Sequence, residues 1–296
     1  MQDAFKNITT QPILGWNNNS IHADLLRLDL LHPVVSGNKW FKLRYYLEDA
    51  MTTQKKTIVS FGGAYSNHIV AMAYACKNAG LQSVGIIRGE EPAILSHTLK
   101  AAISYGMQPI FVSREAYKNK MQLQDHLHQK GWYWIGEGGY GIKGAEGAAT
   151  ILQTTDTVNY TDILCAAGTG TMMAGCIKGS LPHQRVSGIS VLKNHHSLRP
   201  EVEALLTAAE RNRRYTFFPN DYFGGYAKHP AELIEYMNNL FRQEQIPTDI
   251  VYTGKLLFKV SDLIRNNYFP PGSRILVIHS GGLQGNESLP PGKLIY

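Results

Sequence analysis

Short uninterrupted apolar runs alternate along the chain with longer stretches of helical spacing. Residues 57–61 (TIVSF), 83–88 (SVGIIR), 107–112 (MQPIFV), 132–135 (WYWI), 162–167 (DILCAA), 186–192 (VSGISVL), 214–218 (RYTFF) and 274–279 (RILVIH) are rich in apolar, β-branched and aromatic residues and are bounded by polar ones. That is the pattern of strands buried on both faces. Between them, 66–79, 92–105, 114–130, 145–153, 171–179, 201–211, 230–243 and 254–267 have helical length and periodicity, several opening at Ser, Thr or Pro and closing near Gly or Asn. Strand and helix in alternation predict an α/β fold with a mostly parallel twisted sheet covered by helices on both faces.

In such folds ligands sit beyond the carboxyl ends of the strands, so the strand-to-helix junctions are where chemistry is to be sought. Four stand out: Gly62-Gly63-Ala64-Tyr65-Ser66-Asn67-His68, Gly168-Thr169-Gly170-Thr171, Tyr252-Thr253-Gly254-Lys255 and His279-Ser280-Gly281-Gly282. The second places glycines and two hydroxyls at a helix start, where backbone N–H groups can converge on a phosphate. The same glycines serve equally as turn residues, and the loop is neither a Walker motif nor Gly-x-Gly-x-x-Gly. Ser280 as a turn cap and Tyr252 as a core aromatic are the corresponding structural readings. In Ser36-Gly37-Asn38-Lys39-Trp40-Phe41-Lys42-Leu43, Lys39 stands between a turn signal and an apolar stretch. Partial burial would depress its pKa and make it a nucleophilic amine, whereas a snorkelling surface lysine gives the same pattern.

Composition narrows the class. With 296 residues, 44% hydrophobic and 18% charged, the chain can bury a large core as one or two domains and is not disordered. Cys76, Cys165 and Cys176 are odd in number and widely spaced, which argues against a disulfide framework and for a reducing compartment. The N-terminal segment has no basic-then-apolar pattern and no apolar run is long enough to span a bilayer, so a cytoplasmic protein without a membrane partner is expected. The net charge of +6 and the run Arg211-Asn212-Arg213-Arg214-Tyr215 would permit nucleic-acid binding, but no recognition motif accompanies them. The pairs His195-His196 and His126-x-His128 lack a supporting Cys or carboxylate, so no metal site is expected.

Taken together and in this order, these segments resemble the pyridoxal-phosphate enzymes that include 1-aminocyclopropane-1-carboxylate deaminase and D-cysteine desulfhydrase, in the tryptophan-synthase-β-like fold group. SGNKWFKL is similar to the family's Gly-Asn-Lys-x-x-Lys-Leu, which implies that Lys39 carries pyridoxal 5'-phosphate covalently and Lys42 helps bind its phosphate. GGAYSNH is similar to Gly-Gly-x-x-Ser-Asn-[His/Gln], implying Asn67 at the cofactor's ring hydroxyl and Ser66 and His68 near the substrate carboxylate. Gly168, Thr169, Gly170 and Thr171 match the phosphate loop. YFGGYAK implies Tyr226 against the pyridine ring, YTGK implies Tyr252 over the substrate, and HSGG implies Ser280 at the pyridine nitrogen. The resemblance also implies two domains, 1–51 plus 148–296 and a smaller one at 52–147, with the cofactor in the cleft between them, and a homodimer.

On this reading Lys39 anchors the cofactor and then acts as general base, with Ser66 and Tyr252 also catalytic, on a small amino acid. Ring-opening deaminases of the family characteristically carry glutamate after the tyrosine, where this chain has Thr253. That departure favours β-elimination from D-cysteine, with 1-aminocyclopropane-1-carboxylate as the alternative substrate and a catalytically silent cofactor carrier as a further one. Tyr65 replaces a smaller polar residue and implies a compact pocket lined by Tyr65, Tyr226 and Tyr252.

Overall fold

The computed structural model describes residues 2–296 apart from Asn18, Asn19, Ser36, Asn220, Asp221 and Tyr226. In chain order its elements are β1 (Thr10–Pro12), β2 (Ile21–Arg27), α1 (Asn38–Thr52), β3 (Thr57–Gly62), α2 (Asn67–Asn78), β4 (Gln82–Arg88), α3 (His97–Ser104), β5 (Met107–Val112), α4 (Lys120–Leu127), β6 (Trp132–Ile135) and α5 (Ile142–Ala149). They continue with β7 (Asp162–Ala167), α6 (Thr171–Gly179), β8 (Arg185–Ser190), α7 (Leu198–Glu203), α8 (Ala208–Arg211), β9 (Tyr215–Phe218), α9 (Ala231–Glu244), α10 (Thr253–Arg265) and β10 (Ser273–His279).

The strands form two sheets, one ordered β1-β2-β10-β7-β8-β9 and the other β5-β4-β3-β6. All pairings are parallel except β1 with β2. Strict alternation splits each strand between two cores: Ile163 and Cys165 of β7 enter the cluster on one face, Leu164 and Ala166 the cluster on the other. The smaller sheet does the same, with Ile58 on one side and Val59 and Phe61 on the other. Both faces are therefore apolar and helix-covered, which is why these strands read as continuous hydrophobic runs.

All eight expected strands are present. The helices differ where local capping overrides periodicity. α4 starts only at Lys120 because Asn119 caps it, accepting the N–H of Gln122 at 3.1 Å. The single helix expected over 201–211 is two, because Thr207 and Glu210 form a reciprocal capping box that starts α8 afresh.

Three elements were not expected: β1, β2 and α1. β2 carries Asp24, which accepts the Tyr160 hydroxyl at 2.7 Å, and Arg27, paired with Asp29 at 2.7 Å, so its polar positions are internally satisfied and its pattern is obscured. α1 straddles the two sheets, with Leu43, Tyr46 and Leu47 in a core cluster of the smaller and Phe41 in one of the larger.

The basic run is consumed structurally. Arg213 donates to the carbonyls of Ile177, Lys178 and Ser180 at the end of α6, Arg211 to Glu203 and Arg214 to His183. This is the favourable placement of cations at a helix C-terminus. Among the described residues no helix is long and apolar enough to cross a membrane, and no three His, Cys, Asp or Glu side chains gather to hold a metal ion.

Candidate active site

The junctions singled out from the sequence meet in one cleft between the two sheets. β7 and β10 are parallel neighbours, so the Gly168–Thr171 loop and the Ser280–Gly282 turn leave the same sheet edge together. Gly37, at φ +64°, lets the start of α1 cross that turn: a Cβ there would overlap the Ser280 carbonyl, which instead accepts the Asn38 N–H at 3.1 Å. From the other sheet, Asn67 at the start of α2 donates from Nδ2 to the Gly282 carbonyl at 2.9 Å.

Two connected chambers result. The inner one is lined by Lys39, Lys42, Thr169, Gly170 and Ser280, with Asn67 and Tyr252 at its border. The outer one, about 490 Å³, shares Lys39, Asn67, Thr169 and Tyr252 and adds Tyr65, Ser66 and His68. Of the expected site residues only Tyr226 lies outside the described residues. The outer chamber is roomier than the compact pocket expected from Tyr65, because that ring is exposed at its edge and does not fill it.

Several polar groups of the inner chamber have no hydrogen-bond partner among the described residues. Lys39 is pushed down to about 8 by burial, partly offset by the Asp249 carboxylate. Its Nζ lies over the Tyr252 ring, 5.8 Å from the centroid. Lys42, 4% exposed, is held well below the ordinary lysine range by burial and then by the nearby Lys39 charge. Neither lysine makes a hydrogen bond or ion pair among the described residues. Thr169 and Thr171 bring their hydroxyls within 3.0 Å of each other. The first-turn N–H groups of α6, which follow Gly170 in the left-handed region, have no intrahelical acceptor. The Oδ1 of Asn67 is buried and has no hydrogen-bond partner among the described residues. Two close lysine amines, a hydroxyl pair and a helix N-terminus form a cradle for a dianion on a ring-sized group, and the residues present therefore fit pyridoxal phosphate.

His68 lies at the outer chamber, 2% exposed. The Ser60 hydroxyl donates to the Ile135 carbonyl at 2.8 Å, so His68 Nε2 is the donor in its 2.9 Å contact with Ser60 Oγ. Nδ1 is left as a buried lone pair without a partner among the described residues. Burial, reinforced by Lys39 and Lys42, lowers the ring's pKa to about 3 and keeps it neutral. Its side chain thus has no N–H to spare for a carboxylate. The better donors are the backbone N–H groups of the first turn of α2, which Ser66 caps with a 3.4 Å bond from Ile69 N.

Sequence reasoning missed two supports. Asp249, fully buried, accepts the N–H groups of Val251 (2.9 Å), Tyr252 (3.0 Å) and Thr253 (2.8 Å) and the Thr253 hydroxyl (2.8 Å). It fixes the turn that presents Tyr252 and keeps the Thr253 side chain out of both chambers. A polar residue a few positions before a helix start was the available signal. Behind Ser280, buried His279 donates from Nε2 to the Pro247 carbonyl at 2.8 Å and faces Asp29 Oδ1 at 3.2 Å from Nδ1. Burial opposes ionisation of Asp29, but His279 and Arg27 outweigh it and hold its carboxyl below the ordinary range.

Comparison with known proteins agrees with this geometry. A family model described as "Pyridoxal-phosphate dependent enzyme" matches residues 6–281. The chain is 32% identical over 280 residues to a Thermotoga maritima protein named "Putative 1-aminocyclopropane-1-carboxylate deaminase", covering 88% of each. It is 27% identical to the "Bifunctional D-cysteine desulfhydrase/1-aminocyclopropane-1-carboxylate deaminase, mitochondrial" of Arabidopsis thaliana, covering 93% of this chain and 76% of that one. The crystal structure of an ACC deaminase homologue superposes with a TM-score of 0.79 at 24% identity, covering 95% of this chain and 90% of the other.

Proposed function

The chain belongs to the pyridoxal-phosphate-dependent enzymes, and from that premise we propose that it is a lyase releasing a β-substituent and ammonia from a small amino acid, with D-cysteine as the preferred substrate. Lys39 Nζ is the covalent anchor and, once released, the base that takes the α-proton, a task suited to an amine poised at about 8. Lys42, Gly168, Thr169, Gly170 and Thr171 hold the phosphate, Asn67 the ring hydroxyl and Ser280 the ring nitrogen. Ser66 and the first turn of α2 orient the substrate carboxylate, and Tyr252 covers the substrate from the opposite side. When bound, the cofactor supplies the sink for the electrons of the broken Cα–H bond. Overall, D-cysteine and water give pyruvate, ammonia and sulfide.

One observation carries the choice of reaction: Ser280 lines the inner chamber as a neutral hydroxyl, and Thr253 is turned away to bond Asp249. With no carboxylate at the ring nitrogen the electron sink is weak, which suits a substrate whose leaving group departs promptly, as thiolate does. Ring opening of 1-aminocyclopropane-1-carboxylate is the second reading, favoured by the names of the relatives.

The same reading makes residues 1–51 plus 148–296 and 52–147 two domains flanking the cleft, in a homodimer. The three buried free thiols suit the cytoplasm. The test is the visible spectrum of the purified protein with D-cysteine and, separately, with 1-aminocyclopropane-1-carboxylate, read together with sulfide and keto-acid release. A yellow protein whose band shifts with D-cysteine as sulfide appears is expected. Ammonia from the cyclopropane substrate alone would replace the first reading by the second, and a protein that takes up no pyridoxal phosphate would end both.

A further inference from the structure

The wall of the outer chamber contributed by the smaller sheet carries a cation with no assigned task. Arg88 closes β4, and its guanidinium lies beside Gly63, where a Cβ would come 3.7 Å from Nη2. It packs over the Tyr117 ring at 5.8 Å from the centroid. Among the described residues it forms no ion pair. The neighbouring charges are satisfied by one another: Glu137 pairs with Lys120 at 3.1 Å and accepts the Tyr117 hydroxyl at 3.0 Å.

The two glycines preceding this wall have different causes. At Gly62 a Cβ would run into Ile69 and Ser66, so packing of the turn on α2 demands glycine. Gly63 has neither a positive φ nor a backbone neighbour in the way, and among the described residues Arg88 is the only group within reach of a Cβ there. Its missing side chain leaves the passage toward the guanidinium open. The chamber of about 490 Å³ is of a size that takes drug-sized ligands and exceeds the needs of a cysteine side chain.

We propose that Arg88 is a specificity-determining residue that receives a carboxylate at the far end of the substrate's β-substituent, so that the chamber accepts β-substituted alanines ending in an acid. This rests on the elimination reading above. The α-carboxylate goes to the start of α2 and the distal one to Arg88, whose planar fork matches a carboxylate in two-point contact. The substrate is thereby held at both ends, with its Cα–H and Cβ–S bonds between them. For S-carboxymethylcysteine the α-proton is removed, the Cβ–S bond breaks with its electron pair leaving on sulfur, and addition of water releases pyruvate, ammonia and thioglycolate.

The test compares S-carboxymethylcysteine with its uncharged near-isostere S-carbamoylmethylcysteine, each in both configurations, on the holoenzyme and on Arg88→Gln and Arg88→Lys. Keto-acid release and ligand-induced shift of the thermal midpoint are both read. The expected result is a preference of about tenfold for the charged ligand, lying in KM and shrinking with added salt. Arg88→Gln brings the ratio near one and Arg88→Lys retains part of it. Equal use of the two ligands, or a preference that survives Arg88→Gln, overturns the role of Arg88 while D-cysteine turnover leaves the elimination reading standing. Failure of all these amino acids, D-cysteine included, to bind or react overturns both.

Discussion

The two chambers of the cleft share Lys39, Asn67 and Tyr252, yet they are built on different principles. The inner chamber draws its polar groups from strand-to-helix junctions; among the described residues its lysines make no hydrogen bond or ion pair, and its threonine hydroxyls bond each other. The outer chamber is lined on one side by exposed groups, Tyr65 and Arg88, that no turn requires. Such an inner wall is dictated by one bulky anionic group, and the outer wall is free to vary with the substrate. The difference teaches where cofactor chemistry ends and specificity begins.

The sharpest break in that comparison is at Lys39. Lys39→Ala should lower keto-acid release by about 10⁴-fold, the upper range for a positioned base, and borohydride should no longer fix the cofactor to the chain. Retention of most activity would remove Lys39 from the mechanism. Next is the support beneath both chambers. Asp249→Asn places an amide N–H₂ where two of the four donors now converge, so urea unfolding should show a loss of about 2–3 kcal/mol, and kcat should fall as the turn that presents Tyr252 loosens. Unchanged stability would mean the four bonds are dispensable.

The pH dependence of the cofactor-free chain separates the chambers more gently. The His68 pKa is depressed to about 3 from an ordinary 6.5, so below 6.5 the unfolded chain binds a proton that the folded one refuses. Stability should decline as pH falls from about 6.5 toward 3, and His68→Gln should flatten that slope. Lys39, depressed to about 8 from 10.5, obeys the same sign: the unfolded state holds the extra proton between those values, so stability should rise with pH across that window, and Lys39→Met should reduce the rise, to which Lys42 and Lys255 also contribute. The smallest effect belongs to Tyr65, which is 46% exposed. Tyr65→Gln should leave unfolding within about 0.5 kcal/mol and kcat unchanged, with only a modest shift in KM. A collapse of kcat would place Tyr65 among the groups that contact the reacting atoms.

Much of this architecture was legible because strands buried on both faces declare themselves as largely apolar runs, as do β3 and β7, which are buried at every position. β2 and α1 did not, for a common reason: each places charged side chains where periodicity expects apolar ones. In β2 these are Asp24 and Arg27, satisfied by Tyr160 and Asp29. In α1 it is Lys42, buried because its face looks into the inner chamber and not into a core. Helix boundaries near residues 120 and 207 were decided by single capping side chains, which periodicity does not register.

The sequence by itself determined the alternation of strand and helix, the junctions at which glycines and polar side chains concentrate, and the order of motifs that marks the cofactor family, because all of these are local along the chain. Only the tertiary structure decided that His68 is neutral and donates to Ser60, that Thr253 serves Asp249 instead of the site, and that Arg88 faces the same chamber as Lys39. Those outcomes depend on which groups from distant segments compete for each hydrogen bond and on how far burial raises the cost of charge. Neither is a property of neighbouring residues.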